Sequence, residues 1–184
     1  CPVWGPDECA DWRTHALPAQ GVLTLAGLGT AHVLSVSAHT LGHVAYHFPQ
    51  QAWLFCGDAL FSAGCGRLFE GTADDLQRAL AEINQLPANT QVFPAHEYTL
   101  SNLRFSQQVE PDNLHVTKAI REVQEWRTAG QPSLPTTLMR ERLINPFLRL
   151  QSPELRASVS ARAELPFQSE LETLRLLRLW KDQS

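Results

Sequence analysis

The sequence has no excess of basic residues and no apolar run long enough for a membrane span. Its 15 lysines and arginines against 19 acidic residues leave a net charge of −4, which argues against a protein that binds nucleic acid through bulk charge. The longest apolar stretch, around residues 22–36, is interrupted by Gly27, Gly29, Thr30 and His32. It falls short of the roughly 20 apolar residues that a membrane span needs. These absences favour a soluble globular protein with neither nucleic acid nor membrane as a partner.

A disulfide framework and a secretory signal are also missing. The four cysteines, Cys1, Cys9, Cys56 and Cys65, form no CxxC pair. Two of them lie in Gly-rich apolar segments, where small buried thiols are common, so we expect a reducing compartment. Residues 1–6 have neither the basic stretch nor the apolar core of a secretory signal. The expected location is therefore the cytoplasm.

Charge and composition change near the middle of the chain. Residues 1–97 contain three basic and nine acidic residues, whereas residues 98–184 contain twelve basic and ten acidic ones. Nine of the ten glycines lie before residue 72, and the second part is rich in Leu, Arg, Glu and Gln. This shift predicts a sheet domain over 1–97 followed by a helical domain over 98–184.

Hydrophobic periodicity agrees with that division. Short β-rich runs predict strands at residues 21–26, 31–38, 44–48, 52–56 and 91–93, with a hairpin turn at 27–30. Leu76, Leu80 and Ile83 then recur at helical spacing after a Thr cap, and Pro87 ends the helix. Further helices are predicted at residues 100–109, 114–128, 153–162 and 169–181.

Three short segments carry side chains that can bind metal ions. They are HTLGH at 39–43, FCGDALF at 55–61 and FPAHEY at 93–98. Each lies directly before or after a predicted strand, where loops commonly hold active sites. Imidazole nitrogens and carboxylate oxygens are typical ligands of a metal such as Zn²⁺. Any one of these residues alone is more often a surface or turn residue, and only their conjunction indicates a metal site.

In order and spacing, these segments resemble glyoxalase II, the hydroxyacylglutathione hydrolases of the metallo-β-lactamase superfamily. The similarity also includes GCGRLFEGTA at 64–73, AHEYTLSN at 95–102 and NPFLR at 145–149, so it covers essentially the whole chain. It implies an α/β fold: part of an αββα sandwich, without its N-terminal strands, followed by an all-α domain. It also implies hydrolysis of the thioester S-D-lactoylglutathione to glutathione and D-lactate, in methylglyoxal detoxification, by a monomeric enzyme.

The resemblance assigns roles to the metal-capable residues. His43 would be a ligand of one metal ion, His96 of a second, and Asp58 the catalytic carboxylate that bridges the two. The ions would be divalent, with zinc expected first and iron or manganese as alternatives. His39 falls within the motif but not at a ligand position, so we expect it to support the site without binding metal.

The same resemblance implies a binding site for the glutathione part of the substrate. Glutathione carries two carboxylates and one ammonium, which charged hydrogen bonds can recognise. The matching positions are Arg67, Phe69, Tyr98, Arg178 and Lys181. Basic residues near a helix C-terminus are also favoured there by the helix dipole alone, so Arg178 and Lys181 have this second interpretation.

One part of the family pattern does not occur in these 184 residues. Glyoxalase II enzymes have a THxHxDH motif upstream of the segment where this sequence begins, and it supplies four further metal ligands. The chain is therefore expected to be a shortened form with impaired activity. Two alternatives stay open: a non-catalytic remnant that binds glutathione conjugates, and a relative of the iron-dependent persulfide dioxygenases.

Overall fold

In a computed structural model, which describes residues 1–18, 21–166 and 168–184, the protein is built on one six-stranded mixed sheet with six α-helices. The sheet has the strand order β10-β9-β6-β5-β4-β3, with β6 and β9 parallel and the other neighbouring pairs antiparallel. The strands are β1 Trp4–Gly5, β2 His15–Ala16, β3 Val22–Leu25, β4 Gly29–Ser35, β5 Val44–Phe48, β6 Trp53–Gly57, β7 Leu60–Phe61, β8 Gly64–Cys65, β9 Gln91–Pro94 and β10 Thr136–Thr137. The helices are α1 Ala73–Asn84, α2 Thr99–Val109, α3 Leu114–Thr128, α4 Leu138–Ile144, α5 Pro153–Ala163 and α6 Glu170–Asp182.

The predicted α/β fold is confirmed, and most predicted elements occur within one or two residues of their expected bounds. Helix α1 begins at Thr72, whose side chain accepts from the Asp75 backbone amide in a capping box, and buries Leu76, Leu80 and Ile83 as the periodicity indicates. Helix α4 was not predicted. It is only seven residues long, and its N-cap, Thr137, follows a stretch with two prolines that resembles a loop.

One face of the sheet lies in the main core. Ala45, Leu54, Cys56 and Val92 point into a buried cluster. The helical part of the chain adds further apolar side chains to the same cluster: Phe105, Val109, Leu138, Phe147, Leu155, Val159, Leu174 and Leu177. Strand β10 also comes from this part and pairs with β9. The predicted division into 1–97 and 98–184 stays a prediction; in the structure, one apolar core joins its two sides.

The other face of the sheet carries a row of large apolar side chains. Strand register aligns Val33 with Tyr46, Tyr46 with Phe55, and Phe55 with Phe93. The rings of Phe55 and Phe93 stack with centroids 4.9 Å apart, and Phe55 is 40% exposed. The Tyr46 hydroxyl donates to the carbonyl of Trp4, so the first residues of the chain lie against Tyr46 in this row. Burial, which is the larger cause, and nearby Cys9 raise the pKa of Tyr46.

The short hairpin β7–β8 is held by polar side chains from three helical positions. Glu141 of α4 accepts from the Ser62 hydroxyl at 2.8 Å and from the Ala63 backbone amide at 2.7 Å. Asn145 donates to the carbonyls of Phe61 and Gly64, and Asn102 of α2 donates to that of Ser62. Ala63 has a positive φ of 58°, a conformation that costs energy for any residue but glycine. These hydrogen bonds stabilise a turn that the local sequence alone does not favour.

Glu141 is fully buried and accepts further hydrogen bonds from Thr136 and Asn145. Burial raises the pKa of its carboxyl, and the hydrogen bonds to Ala63, Thr136, Ser62 and Asn145 oppose that shift. None of the helices formed by the described residues is long and apolar enough to cross a membrane.

We expect Glu141→Ala to lower the free energy of unfolding by about 3 kcal/mol or more, because each buried donor left without an acceptor costs about 1–3 kcal/mol. Urea unfolding measures this change. The matched control is Glu82→Ala, since Glu82 is exposed on α1 and a surface substitution changes stability by only about 0.5 kcal/mol. Equal unfolding midpoints for Glu141→Ala and the unmodified chain would show that the hairpin does not depend on this carboxylate.

Candidate functional site

Two of the predicted metal ligands meet at one edge of the sheet. Asp58 directly follows β6, and His96 lies two residues after β9. Because β6 and β9 are parallel, their carboxyl ends lie side by side, and the Ala95 amide donates to the Gly57 carbonyl at 3.1 Å. His96 Nε2 lies 3.5 Å from Asp58 Oδ1, and both side chains are partly exposed. Asp58 and His96, which are expected to bind a common metal ion, therefore lie next to each other.

The third predicted ligand, His43, reaches the same edge from the neighbouring strand. It directly precedes β5, which is antiparallel to β6, so the start of β5 lies beside the end of β6. The Asp58 backbone amide donates to His43 Nε2 at 3.2 Å. Gly57 has a φ of +53°, and a Cβ there would lie 2.7 Å from that same nitrogen. A glycine is therefore required both by the backbone conformation and by the imidazole.

The segment after β8 is pressed against Asp58. A Cβ on Gly66 would lie 2.1 Å from the Asp58 carbonyl oxygen, so only glycine permits this approach. His39 Nδ1 lies 2.8 Å from the carbonyl oxygen of Arg67, within hydrogen-bond distance. His39 thus contacts the backbone of the segment that follows β8 and borders the same cavity as Asp58 and His96. Its expected role as a support of the site stays a prediction.

Two of the predicted substrate-binding residues are aromatic and exposed. The ring of Tyr98 stacks on His96 with centroids 5.0 Å apart and meets Phe61 edge-on at 5.2 Å. The ring of Phe69 lies 4.7 Å from that of His39 and is largely open to solvent. Both rings therefore contact histidines of the predicted site and keep a free surface for a ligand.

The two basic residues of α6, both expected to bind the glutathione part of the substrate, have different environments. Arg178 is buried, and it donates to the Cys65 carbonyl at 3.0 Å and to Asp182 Oδ1 at 2.9 Å. Lys181 is half-buried, with Nζ 4.9 Å from the centre of the Phe105 ring. Burial, followed by the positive charge of Arg178, lowers the pKa of Lys181. Lys181 is thus the better placed of the two to meet a ligand.

One cavity of about 470 Å³ brings most of these side chains together. Its lining includes Asp58, Arg67, Phe69, His96, Tyr98, Arg178 and Lys181. Seven of the eight predicted site residues therefore border one space, and the eighth, His43, lies behind Asp58. The volume is in the range of about 300–1,000 Å³ that is usual for small-molecule sites.

Comparison with known proteins decides the family. Residues 97–184 match the family described as hydroxyacylglutathione hydrolase C-terminus, and residues 12–96 match the metallo-beta-lactamase superfamily. A hydroxyacylglutathione hydrolase of Shewanella pealeana is 44% identical over 182 residues, which cover 98% of this chain and 68% of that protein. The chain belongs to the hydroxyacylglutathione hydrolase family. A relative with the same name from Aliivibrio salmonicida is 48% identical over 151 residues, which cover 82% of this chain and 58% of that protein.

Solved structures agree on the fold alone. The BLEG-1 B3 metallo-beta-lactamase superposes with a TM-score of 0.56 at 22% identity, covering 80% of this chain and 65% of that one. A metallo-beta-lactamase from Staphylococcus aureus subsp. aureus COL gives a TM-score of 0.55 at 15% identity, covering 97% and 50%. Both have the sheet architecture of the superfamily to which residues 12–96 of this hydroxyacylglutathione hydrolase family member belong.

Membership of this superfamily implies a divalent metal ion, which can be tested against the side chains present. Within the described ranges, no group of three or more His, Cys, Asp or Glu side chains is close enough to hold an ion. Of the three predicted ligands, Asp58 and His96 bring their side chains within 3.5 Å of each other, whereas His43 Nε2 lies 3.2 Å from the Asp58 amide nitrogen and 3.3 Å from the Cys56 carbonyl oxygen. The donors in the described part of the chain therefore do not by themselves fit two metal ions.

Some residues in or beside the cavity of this hydroxyacylglutathione hydrolase family member were not singled out from the sequence. Cys65 borders it, and its Sγ lies 3.5 Å from Arg178 Nη1. Burial, the larger cause, raises the pKa of this thiol, and the charge of Arg178 opposes that shift. Glu97, next to His96, accepts from the backbone amide and the hydroxyl of Ser133. Arg178 and Cys65 are 113 positions apart, so no local sequence pattern could have predicted their contact.

We expect the 184-residue chain to retain less than one zinc ion per chain after dialysis, because three side chains cannot complete two four- or five-coordinate shells. Elemental analysis measures the ratio. His43→Ala should lower the residual zinc further, whereas His115→Ala, at an exposed position on α3, should leave it unchanged. Two tightly held ions per chain would show that the ligand count is wrong or that another chain completes the site.

Proposed function

We propose that this chain acts in the hydrolysis of hydroxyacylglutathione thioesters, with S-D-lactoylglutathione as substrate and glutathione and D-lactate as products. One observation carries the proposal: a single cavity is bordered both by the Asp58–His96 pair and by the cations Arg67 and Lys181. A glutathione thioester has two matching parts: an acyl carbonyl bonded to the sulfur, and carboxylates at the ends of the glutathione part. The shared name of the relatives, hydroxyacylglutathione hydrolase, supports it.

Recognition of the glutathione part falls to the basic and aromatic side chains. The exposed guanidinium of Arg67 can bind a carboxylate with two parallel hydrogen bonds, and the Lys181 ammonium adds a second positive charge. The hydroxyl of Tyr98 can donate, and the ring of Phe69 can pack against the ligand. We assign Arg178 an indirect part, since its guanidinium is hydrogen-bonded to the protein.

The acyl group would lie beside Asp58 and His96. We propose His43, Asp58 and His96 as part of the ligand set for two divalent ions, zinc first, with iron or manganese as alternatives. Further donors are needed to complete that set. A glutathione thiolate is a good leaving group, with an unperturbed pKa of about 8.5, so its departure needs no strong general acid.

We further propose that residues 1–97 supply the acyl side of the cavity and residues 98–184 most of the glutathione side, in a monomer located in the cytoplasm. Tyr98, Arg178 and Lys181 come from the second part, and Asp58 and His96 from the first. All four cysteines are free in the described structure, which is consistent with a reducing compartment.

Lys181→Ala should weaken binding of S-methylglutathione, a stable analogue, by roughly 10- to 150-fold, because a charged hydrogen bond is worth about 1.5–3 kcal/mol. Titration calorimetry at low ionic strength measures the dissociation constant, and the difference should shrink in high salt. The control is Lys118→Ala, since Lys118 is the chain's other lysine and lies on α3 outside the cavity. Equal weakening by both substitutions would contradict the proposed binding site.

An assay of hydrolysis distinguishes an enzyme from a protein that only binds glutathione conjugates. With added zinc, we expect the 184-residue chain to cleave S-D-lactoylglutathione measurably, at well under a tenth of the rate of the Shewanella pealeana relative, because its metal donors are incomplete. The loss of thioester absorbance follows the reaction, and Asp58→Asn should abolish it. Tight binding of S-methylglutathione without any Asp58-dependent cleavage would contradict the proposed hydrolysis and favour a binding protein.

A further inference from the structure

The last turn of α6 carries an acidic residue where helix energetics disfavour one. Asp182 is the final residue of α6, near the negative end of the helix dipole, whereas Glu170 and Glu172 occupy the favourable first turn. Its pairing with Arg178 at i, i+4 also has the less favourable order, with the basic residue nearer the N-terminus. The helix alone therefore does not account for Asp182, and its contacts with the rest of the fold must be considered.

Asp182 joins two arginines that come from distant parts of the chain. Its Oδ1 lies 2.9 Å from Nη2 of Arg178 and 3.6 Å from Nε of Arg67. Arg178 is buried, whereas the side chain of Arg67 is 65% exposed. One carboxylate oxygen thus connects a buried guanidinium in the helix to a largely exposed side chain, and both arginines border the cavity.

The backbone beneath Arg67 is already held from both sides. His39 Nδ1 lies 2.8 Å from the carbonyl oxygen of Arg67, and Arg178 Nη1 donates to the carbonyl of Cys65 at 3.0 Å. The preceding Gly66 is packed against Asp58. The long Arg67 side chain is the part left to move, and the contact with Asp182 restrains it.

We propose that Asp182 is a positioning residue, which orients the Arg67 guanidinium toward the cavity so that it meets a carboxylate of the glutathione part of the ligand. The inference rests on the proposed function, since it names the role of one residue in that same site. An arginine side chain loses considerable rotational freedom when it binds a ligand, and a restraint present before binding reduces that loss. Asp182 also offsets part of the mutual repulsion among Arg67, Arg178 and Lys181.

The direction in which Asp182→Asn changes ligand affinity distinguishes a positioning role from a purely electrostatic effect. Asp182→Asn removes a negative charge beside a site for an anionic ligand, so electrostatics alone predicts tighter binding. The positioning role predicts weaker binding, because Arg67 is released. We expect weakening by roughly 3- to 10-fold for S-methylglutathione, the range of a partly exposed ion pair together with the lost restraint.

The experiment is a double-mutant cycle on the 184-residue chain, with S-methylglutathione titrated into the unmodified chain, Asp182→Asn, Arg67→Gln and the double variant. If Asp182 acts through Arg67, then Asp182→Asn should change the dissociation constant by less than about twofold in the Arg67→Gln background. Glu172→Gln is the matched control, because Glu172 pairs with Arg175 on the same helix and lies outside the cavity lining. It should leave affinity unchanged.

Asp182→Glu is a second test, because it keeps the charge and moves the carboxylate by the length of one methylene group. Positioning predicts affinity between those of the unmodified chain and Asp182→Asn, while electrostatics predicts no change. Unchanged or tighter binding by Asp182→Asn, or an equal loss in the Arg67→Gln background, would overturn the inference while leaving the proposed function intact. Failure of the unmodified chain to bind S-methylglutathione at millimolar concentration would instead contradict the proposed function, and the inference with it.

Discussion

The buried carboxylate of Glu141 connects the helical part of the chain to the hairpin from which the cavity wall continues. It accepts hydrogen bonds from Ser62 and Ala63 in the hairpin turn and from Thr136 beside the sheet edge. A fully buried carboxylate is tolerated only with such a complete set of donors. The hairpin in turn leads to Gly66 and Arg67, so the position of this cavity-lining segment depends on a side chain more than seventy residues away.

Close backbone approaches bring the reactive side chains together at the sheet edge. Gly57 leaves room for the His43 imidazole, and Gly66 leaves room for the Asp58 carbonyl. A larger residue at Gly57 would displace the His43 imidazole, and one at Gly66 would displace the Asp58 carbonyl, because the added Cβ would lie only 2.7 Å and 2.1 Å from them. The Gly-rich composition of residues 1–71 therefore has a specific physical reason at these two positions, where the chain folds tightly around Asp58.

Much of the fold follows from local patterns. Helix α3 has its predicted bounds, and α1 begins at the predicted Thr cap, because each has strong apolar periodicity and a clear N-cap. The longer strands of the main sheet are short apolar runs bounded by turns, a pattern that can be read directly from the sequence. Helix α4 and the two-residue strands were missed, since they are stabilised by tertiary contacts such as those of Glu141 and carry too few residues for a period to emerge.

The sequence by itself determined the class of chemistry and the family. Its HTLGH, GDALF and AHEY segments, in that order, carry the metal-capable residues at strand ends and belong to no common structural pattern. Only the tertiary structure decided how the environments of the two basic residues of α6 differ. Arg178 and Lys181 are three apart on one helix, and spacing alone treats them alike. In the folded protein both residues border the cavity, but Arg178 is buried and hydrogen-bonded to Cys65 and Asp182, whereas Lys181 is half-buried. Burial and hydrogen bonds between residues distant in sequence made that distinction, and helical spacing contains no information about either.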